Sequence, residues 1–302
     1  MPFSTMSIFE NPVDRLHRRI TDHFWTALTR RLDASSIRNA MVDAKVHPET
    51  LGRIYIPEGL DEQFEVYNDI ALRHPEYQLE VAALPRAFTS KECRRQLAEK
   101  PGVLALQMRK QHGLLQPLPY IVPGGRFNEF FGWDSYFCAL GVLEAGRLEE
   151  AISIVENWGF EIEHYGCIPN ANRTYLMDRS QPPFLTDLLR RVYGRLQRGP
   201  RAESFLRHGV LAAIKEYSNF WTSPPRLDPV TTLSRYRPAG HGIPPEVEPG
   251  HFDWILSQYA EECECTIAEL AERYNAGTLQ VPGLAQFLQH DRAMRESGHD
   301  TR

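Results

Sequence analysis

From about residue 132 onward the chain is a succession of segments whose apolar residues recur every three or four positions: 135–144, 148–165, 182–196, 202–221, 252–261 and 266–274. That period belongs to helices with one buried face, and little of the chain alternates with the period of two that a half-buried strand needs. Helix following helix therefore predicts an all-α architecture. An earlier helix opens at Asn11-Pro12, where Asn can cap and Pro suits the first turn; Val13, Leu16, Ile20, Phe24 and Leu28 then carry the pattern to about Leu32. Thr266 followed three positions later by Glu269 is a capping-box signal. Between 45 and 125 prolines from Pro48 to Pro123 break the pattern, which predicts an irregular wrapping segment with helices over 62–73 and near 90–99.

With 302 residues, 42% of them hydrophobic and 24% charged, the chain can bury a large core, which excludes a disordered or low-complexity class. A net charge of −5 leaves no basic footprint for nucleic acid. No stretch approaches the roughly 18 to 20 apolar residues of a membrane span, and the N-terminus has no apolar signal core, so a cytoplasmic location is expected. The five cysteines (Cys93, Cys138, Cys167, Cys263, Cys265) lack metal-ligand spacing and read as reduced structural thiols, with no metal site expected. Only five of the 34 basic residues are lysine. The arginine excess is either a compositional bias or a supply of forked donors for hydroxyls and carboxylates.

Four long polar segments lie between or after the helices: 122–134, 166–182, 222–251 and 290–302. Loops of that length are where binding and catalysis concentrate. In the first, Gly124 and Gly125 allow tight backbone geometry, Arg126 supplies a forked donor, and Trp133 beside Asp134 pairs a flat apolar face with a carboxylate. Such a pair suits a sugar ring, apolar on its faces and hydroxylated on its rim; alternatively Trp133 is core and Asp134 caps the helix that follows. The second loop offers Asn170, Asn172, Arg173, Arg179 and Gln181, a set suited to a polyol, with Ser180 available to cap a helix begun by Pro182-Pro183. Arg235, Arg237 and Glu246 follow in a proline-held turn. The last segment places Arg295, Glu296, His299 and Asp300 around Ser297-Gly298, where a carboxyl could serve as a general acid or simply form a surface ion pair. No phosphate loop, dinucleotide fingerprint or serine or cysteine nucleophile motif is present.

Taken in order, PGGRFNEFFGWDSY, PNANRTYLMDRSQPPFLTD, SRYRPAGHGIPPE and RESGHD resemble successive segments of the trehalases, and among them the fungal neutral, cytosolic ones. The likeness extends to 11–33 and 100–108. It implies a partial (α/α)6 toroid with long functional loops, residues 1–10 forming an N-terminal tail and 11–302 the N-terminal portion of a catalytic domain. It further implies hydrolysis of trehalose to two glucose molecules with inversion and no cofactor. Carried over by motif, Asp300 is the general acid, and Arg126, Phe127, Trp133, Asp134, Asn170, Arg179, Gln181, Glu246 and Arg295 hold the sugar hydroxyls.

An inverting hydrolase also needs a base about 6.5 to 9.5 Å from the acid. In the family resembled, that base is a Glu well downstream of RESGHD, whereas this chain ends two residues after Asp300. The expectation is therefore an acid-bearing half that does not turn trehalose over at a useful rate by itself. A silent trehalose-binding or regulatory fragment, or a helical-toroid glycosidase of other specificity, are the alternative readings. Phe131 stands where the family usually has Tyr, forfeiting a hydrogen bond of about 0.5 to 1.5 kcal/mol, and Leu176 replaces an aromatic residue. With neither an N-terminal extension nor a D-x-D-x-D-G run, control by phosphorylation or calcium is not expected.

Overall fold

Asn11 caps the first helix as its type predicts, its side chain accepting from the Val13 N–H at 2.9 Å, and Pro12 sits in the first turn. A computed structural model describes residues 10–42, 52–89, 93, 96–97, 100–240, 242–244 and 250–300. The first helical run is shorter than its apolar stripe suggests. Helix α1 (Pro12–Arg19) passes through a π turn at Ile20–Phe24 into α2 (Trp25–Leu28), and the chain then enters strand β1 (Thr29–Arg30). Helix α3 (Ile37–Met41) follows.

The segment expected to be irregular instead contains a small parallel sheet. Strand β2 (Arg53–Pro57) is buried along its whole length and lies between β3 (Glu80–Leu84) and β4 (Val103–Leu104), with α4 (Asp61–Arg73) as the crossover. Ile54 pairs with both Val81 and Val103. A strand covered on both faces shows no alternation, which is why RIYIP gives no strand signal by period. The helix expected over 62–73 is α4, while the one expected near 90–99 falls mostly outside the described residues. Strands β5 (Met108–Gln111) and β6 (Leu114–Pro117) make a hairpin, and β7 (Tyr120–Ile121) returns to pair with β1.

Helices dominate the rest. They are α5 (Gly132–Glu144), α6 (Leu148–Tyr165), α7 (Leu185–Tyr193), α8 (Pro200–Glu216), α9 (Asp253–Glu262), α10 (Ile267–Ala276) and α11 (Pro282–Glu296). Consecutive helices from α5 to α8 pack as hairpins, and alternate ones also touch, α5 on α7 and α6 on α8. That pattern puts them in two layers and brings the start of α5, the α6–α7 connection and the end of α8 to one end of the molecule. Trp158, Tyr67, Ile54 and Ile162 belong to the main core. A second core of Phe252, Leu256, Leu270, Leu284 and Leu288 joins α9 to α11, each fully buried leucine contributing about 1.5 to 3 kcal/mol. Thr266 and Glu269 make the capping box at the head of α10.

Helix α11 departs most from expectation: none of the predicted helices corresponds to it, and residues 290–296, read from sequence as loop, are its last two turns. Its buried face carries Asp291, Arg292 and Glu296 alongside the leucines, so the apolar period fails where the helix does not. Among the described residues no helix is long and apolar enough to cross a membrane.

Candidate active site

The first signature is held by the second polar loop through its backbone amides. Phe131 bridges to Ala171, the Phe130 N–H donates to Asn172 Oδ1 at 2.8 Å, and the Gly132 N–H donates to the Asn170 carbonyl at 3.0 Å. Helix α5 begins three residues earlier than predicted, so Asp134 lies in its first turn and does not cap it. The cap comes from elsewhere: Gln181 Oε1 accepts from the Trp133 N–H at 2.8 Å. Glycine at 132 eases this approach, since a Cβ there would stand 3.1 Å from both Gln181 Oε1 and the Pro169 carbonyl and the neighbours would have to give way by a few tenths of an ångström.

In the second loop two of the candidate residues serve the scaffold. Asn172 donates from Nδ2 to the Leu104 carbonyl at 3.2 Å, tying the loop to β4. Arg173 pairs with Glu129 at 2.7 Å and donates to the Ala40 carbonyl at 2.8 Å. Both residues offered as polyol ligands by composition are thus engaged in holding the frame. Asn170, Arg179 and Gln181 are also buried, linked by an Asn170 N–H to Arg179 carbonyl bond of 2.9 Å. Ser180 does not cap a helix; its hydroxyl donates to the Ile168 carbonyl at 2.5 Å, and α7 starts only at Leu185.

The RESGHD turn closes over the first signature. Gly298 adopts φ 91° and lies on the Trp133 indole, with room for no Cβ. Asp300 is exposed just beyond that turn. Asp134 is held above the usual carboxylate range by burial and, behind that, by the charge of Asp300, while a backbone hydrogen bond opposes the shift. Arg295 is nearly buried, its Nε donating to Asp291 at 2.9 Å and its Nη2 within 3.1 Å of His251 Nε2. Arg126, exposed, stacks on Phe127, which meets Phe131 edge-on. Glu246 lies outside the described residues.

One residue named only as a neighbour in the sequence turns out to join the loops. Glu296, wholly buried, accepts from the Ser180 N–H at 3.1 Å and the Arg237 N–H at 2.8 Å, and pairs with Arg226 through Nε at 3.2 Å and through Nη2. Burial raises its carboxyl above the ordinary range against the pull of Arg226 and of these donors. A signal for it was present: Leu284, Leu288, Arg292 and Glu296 fall four residues apart, on one helical stripe with two core leucines. Among the described residues no cluster of His, Cys, Asp and Glu is arranged to hold a metal ion.

A half-exposed indole, the buried amide of Gln181 at its backbone N–H, and an exposed carboxyl just beyond the Gly298 turn are groups that can stack on a sugar ring, hold its hydroxyls and deliver a proton. Against known proteins, a family model described as Trehalase matches residues 3–302. The chain is 51% identical over 299 residues to a cytosolic neutral trehalase of Neurospora crassa, covering 97% of this chain and 40% of that one. It is 46% identical over 306 residues to a cytosolic neutral trehalase of Saccharomyces cerevisiae, again 97% of this chain and 40% of the relative. The solved structure of neutral trehalase Nth1 from Saccharomyces cerevisiae superposes with a TM-score of 0.92 at 45% identity, covering 97% of this chain and 55% of that one. The chain thus spans about 40% of the length of the curated relatives it matches.

Proposed function

The chain belongs to the trehalase family, and from that premise we propose that the end of the molecule where RESGHD meets the first signature binds α,α-trehalose for inverting hydrolysis to two glucose molecules. Residues 11–302 act in this reading as one unit of the catalytic domain, in the cytosol as the relatives' names have it. Asp300 is the general acid: it gives its proton to the glycosidic oxygen as the bond to the anomeric carbon breaks. Trp133 stacks on a glucose ring, and Arg126, Phe127, Asp134, Asn170, Arg179, Gln181, Glu246 and Arg295 line it. Water attacks from the opposite face and loses its proton to a second carboxylate, a part that none of the described residues is assigned. Two carboxyl groups and water complete the chemistry, which calls for no cofactor. The observation that supports this most is the seating of Gly298 on Trp133, which joins the acid-bearing turn to the stacking residue.

Thermal unfolding in the presence of trehalose tests it. A ligand that binds only the folded chain stabilises it by about 2.7 kcal/mol at a hundred times its Kd. Trehalose is expected to raise the melting temperature of the wild-type chain and of Asp300→Asn, and to leave Trp133→Ala unmoved. A shift produced by another disaccharide and not by trehalose would overturn the substrate assignment.

A further inference from the structure

Three segments that surround the candidate site have no covalent reason to keep their spacing: the Arg179–Gln181 stretch, the turn at Arg237, and the end of α11 that bears Arg295 and Asp300. All three meet at one carboxylate. The Ser180 N–H, lying between Arg179 and Gln181, donates to Glu296 Oε1, and the Arg237 N–H donates to Oε2. Arg226 adds its guanidinium to Oε1 and packs against the Phe220 ring, its Cζ 3.5 Å from the centroid. Both partners are out of water, with Glu296 0% and Arg226 4% exposed.

An ion pair so placed is a poor device for stability, because desolvation offsets most of the attraction. Its geometry is specific all the same: two oxygens, each aimed at a different loop, from a side chain adjacent to Arg295. We propose that Glu296 is a positioning residue for the sugar site, setting the distance of Arg179 and Gln181 from Asp300 through the Ser180 and Arg237 amides. The sugar part of this rests on the trehalose reading above; the positioning part does not.

The test separates stability from position. Glu296→Gln keeps the shape but offers one acceptor oxygen in place of two and leaves Arg226 without its counter-charge, so both stability and order fall. Arg226→Met/Glu296→Met replaces the pair by apolar side chains of similar volume, a change that is often neutral or stabilising, yet removes both acceptors. Hydrogen exchange on the ligand-free chain reads the Ser180 and Arg237 amides, and calorimetric titration reads trehalose affinity well below the melting temperature. The double variant is expected to melt below wild type, since two amides lose their acceptor, but above Glu296→Gln, to lose protection at both amides, and to bind trehalose at least about ten-fold more weakly, the size of one lost charge-assisted hydrogen bond. Wild-type protection at both amides in the double variant overturns the proposal, as does wild-type affinity. If the wild-type chain binds no trehalose the substrate assignment fails, and exchange at the two amides still decides the role of Glu296.

Discussion

Gly298 rests on the indole of Trp133 so closely that a Cβ at position 298 would lie 2.7 Å from ring Cζ2. The backbone there is in the left-handed region, φ 91°, which disfavours any side chain even before the ring is met. Gly298→Ala should therefore cost about 1 to 3 kcal/mol and displace the turn that carries Asp300. Its melting temperature should fall, and the trehalose-induced shift should fall with it. A variant that melts and responds like wild type would show that the turn does not depend on this contact.

Gln181 has a second task besides any contact with sugar, because its Oε1 caps α5 through the Trp133 N–H. Gln181→Met removes the acceptor at similar volume and should cost about 1 to 2 kcal/mol. Gln181→Glu keeps an acceptor and should cost less. Urea midpoints at an unchanged m-value measure both; equal midpoints for Met and wild type would remove the cap from the account.

How much of this could be read from the sequence depends on what each buried face is made of. Helix α6 runs from Leu148 to Tyr165, as its periodicity predicts, because apolar residues such as Ile152, Val155, Trp158 and Ile162 outnumber Ser153, Asn157 and Glu161 among its buried positions. Helix α11 is not predicted at all, its buried stripe giving only Leu284 and Leu288 before Asp291, Arg292 and Glu296 take over. Strand β2 was hidden for a different reason, being covered on both sides so that no alternation shows. In the site, the family segments pointed to Trp133, Asp134 and Gln181, and the structure does bring these together with Gly298. Composition alone could not tell that Asn172 and Arg173 hold the frame, since an amide that ties a loop to a strand is the same amide that can hold a hydroxyl.

Arg173 makes that division testable. Its guanidinium is buried, paired with Glu129 and donating to the Ala40 and Val42 carbonyls. Arg173→Leu leaves a mostly buried carboxylate and two carbonyls without that donor, and should destabilise by about 3 to 5 kcal/mol. Arg173→Leu/Glu129→Leu should recover part of the loss. If Arg173→Leu instead folds with wild-type stability and loses trehalose affinity, Arg173 is a sugar ligand and the scaffold assignment is wrong.

Glu216, the last residue of α8, lies almost wholly out of water with Oε1 3.4 Å from the Ile168 N–H, at the base of the second loop. Burial pushes its carboxyl up to about 7, against the opposing effect of that amide, from an ordinary value of 4.5. Glu161 on α6, also buried, is raised well above its usual range by burial and by the charge of Glu216. The folded state binds the Glu216 proton more tightly than the unfolded state does. Its contribution is therefore present below about 4.5, is lost as pH rises from about 4.5 to about 7, and is constant above. The whole span corresponds to roughly 3 kcal/mol, an upper figure for one group. Glu216→Gln keeps an acceptor for Ile168 and does not ionise, so its stability relative to wild type should climb across that interval and then level off. Unfolding curves for both proteins from pH 5 to 8 measure the climb, and a constant difference between them would mean that Glu216 does not titrate there.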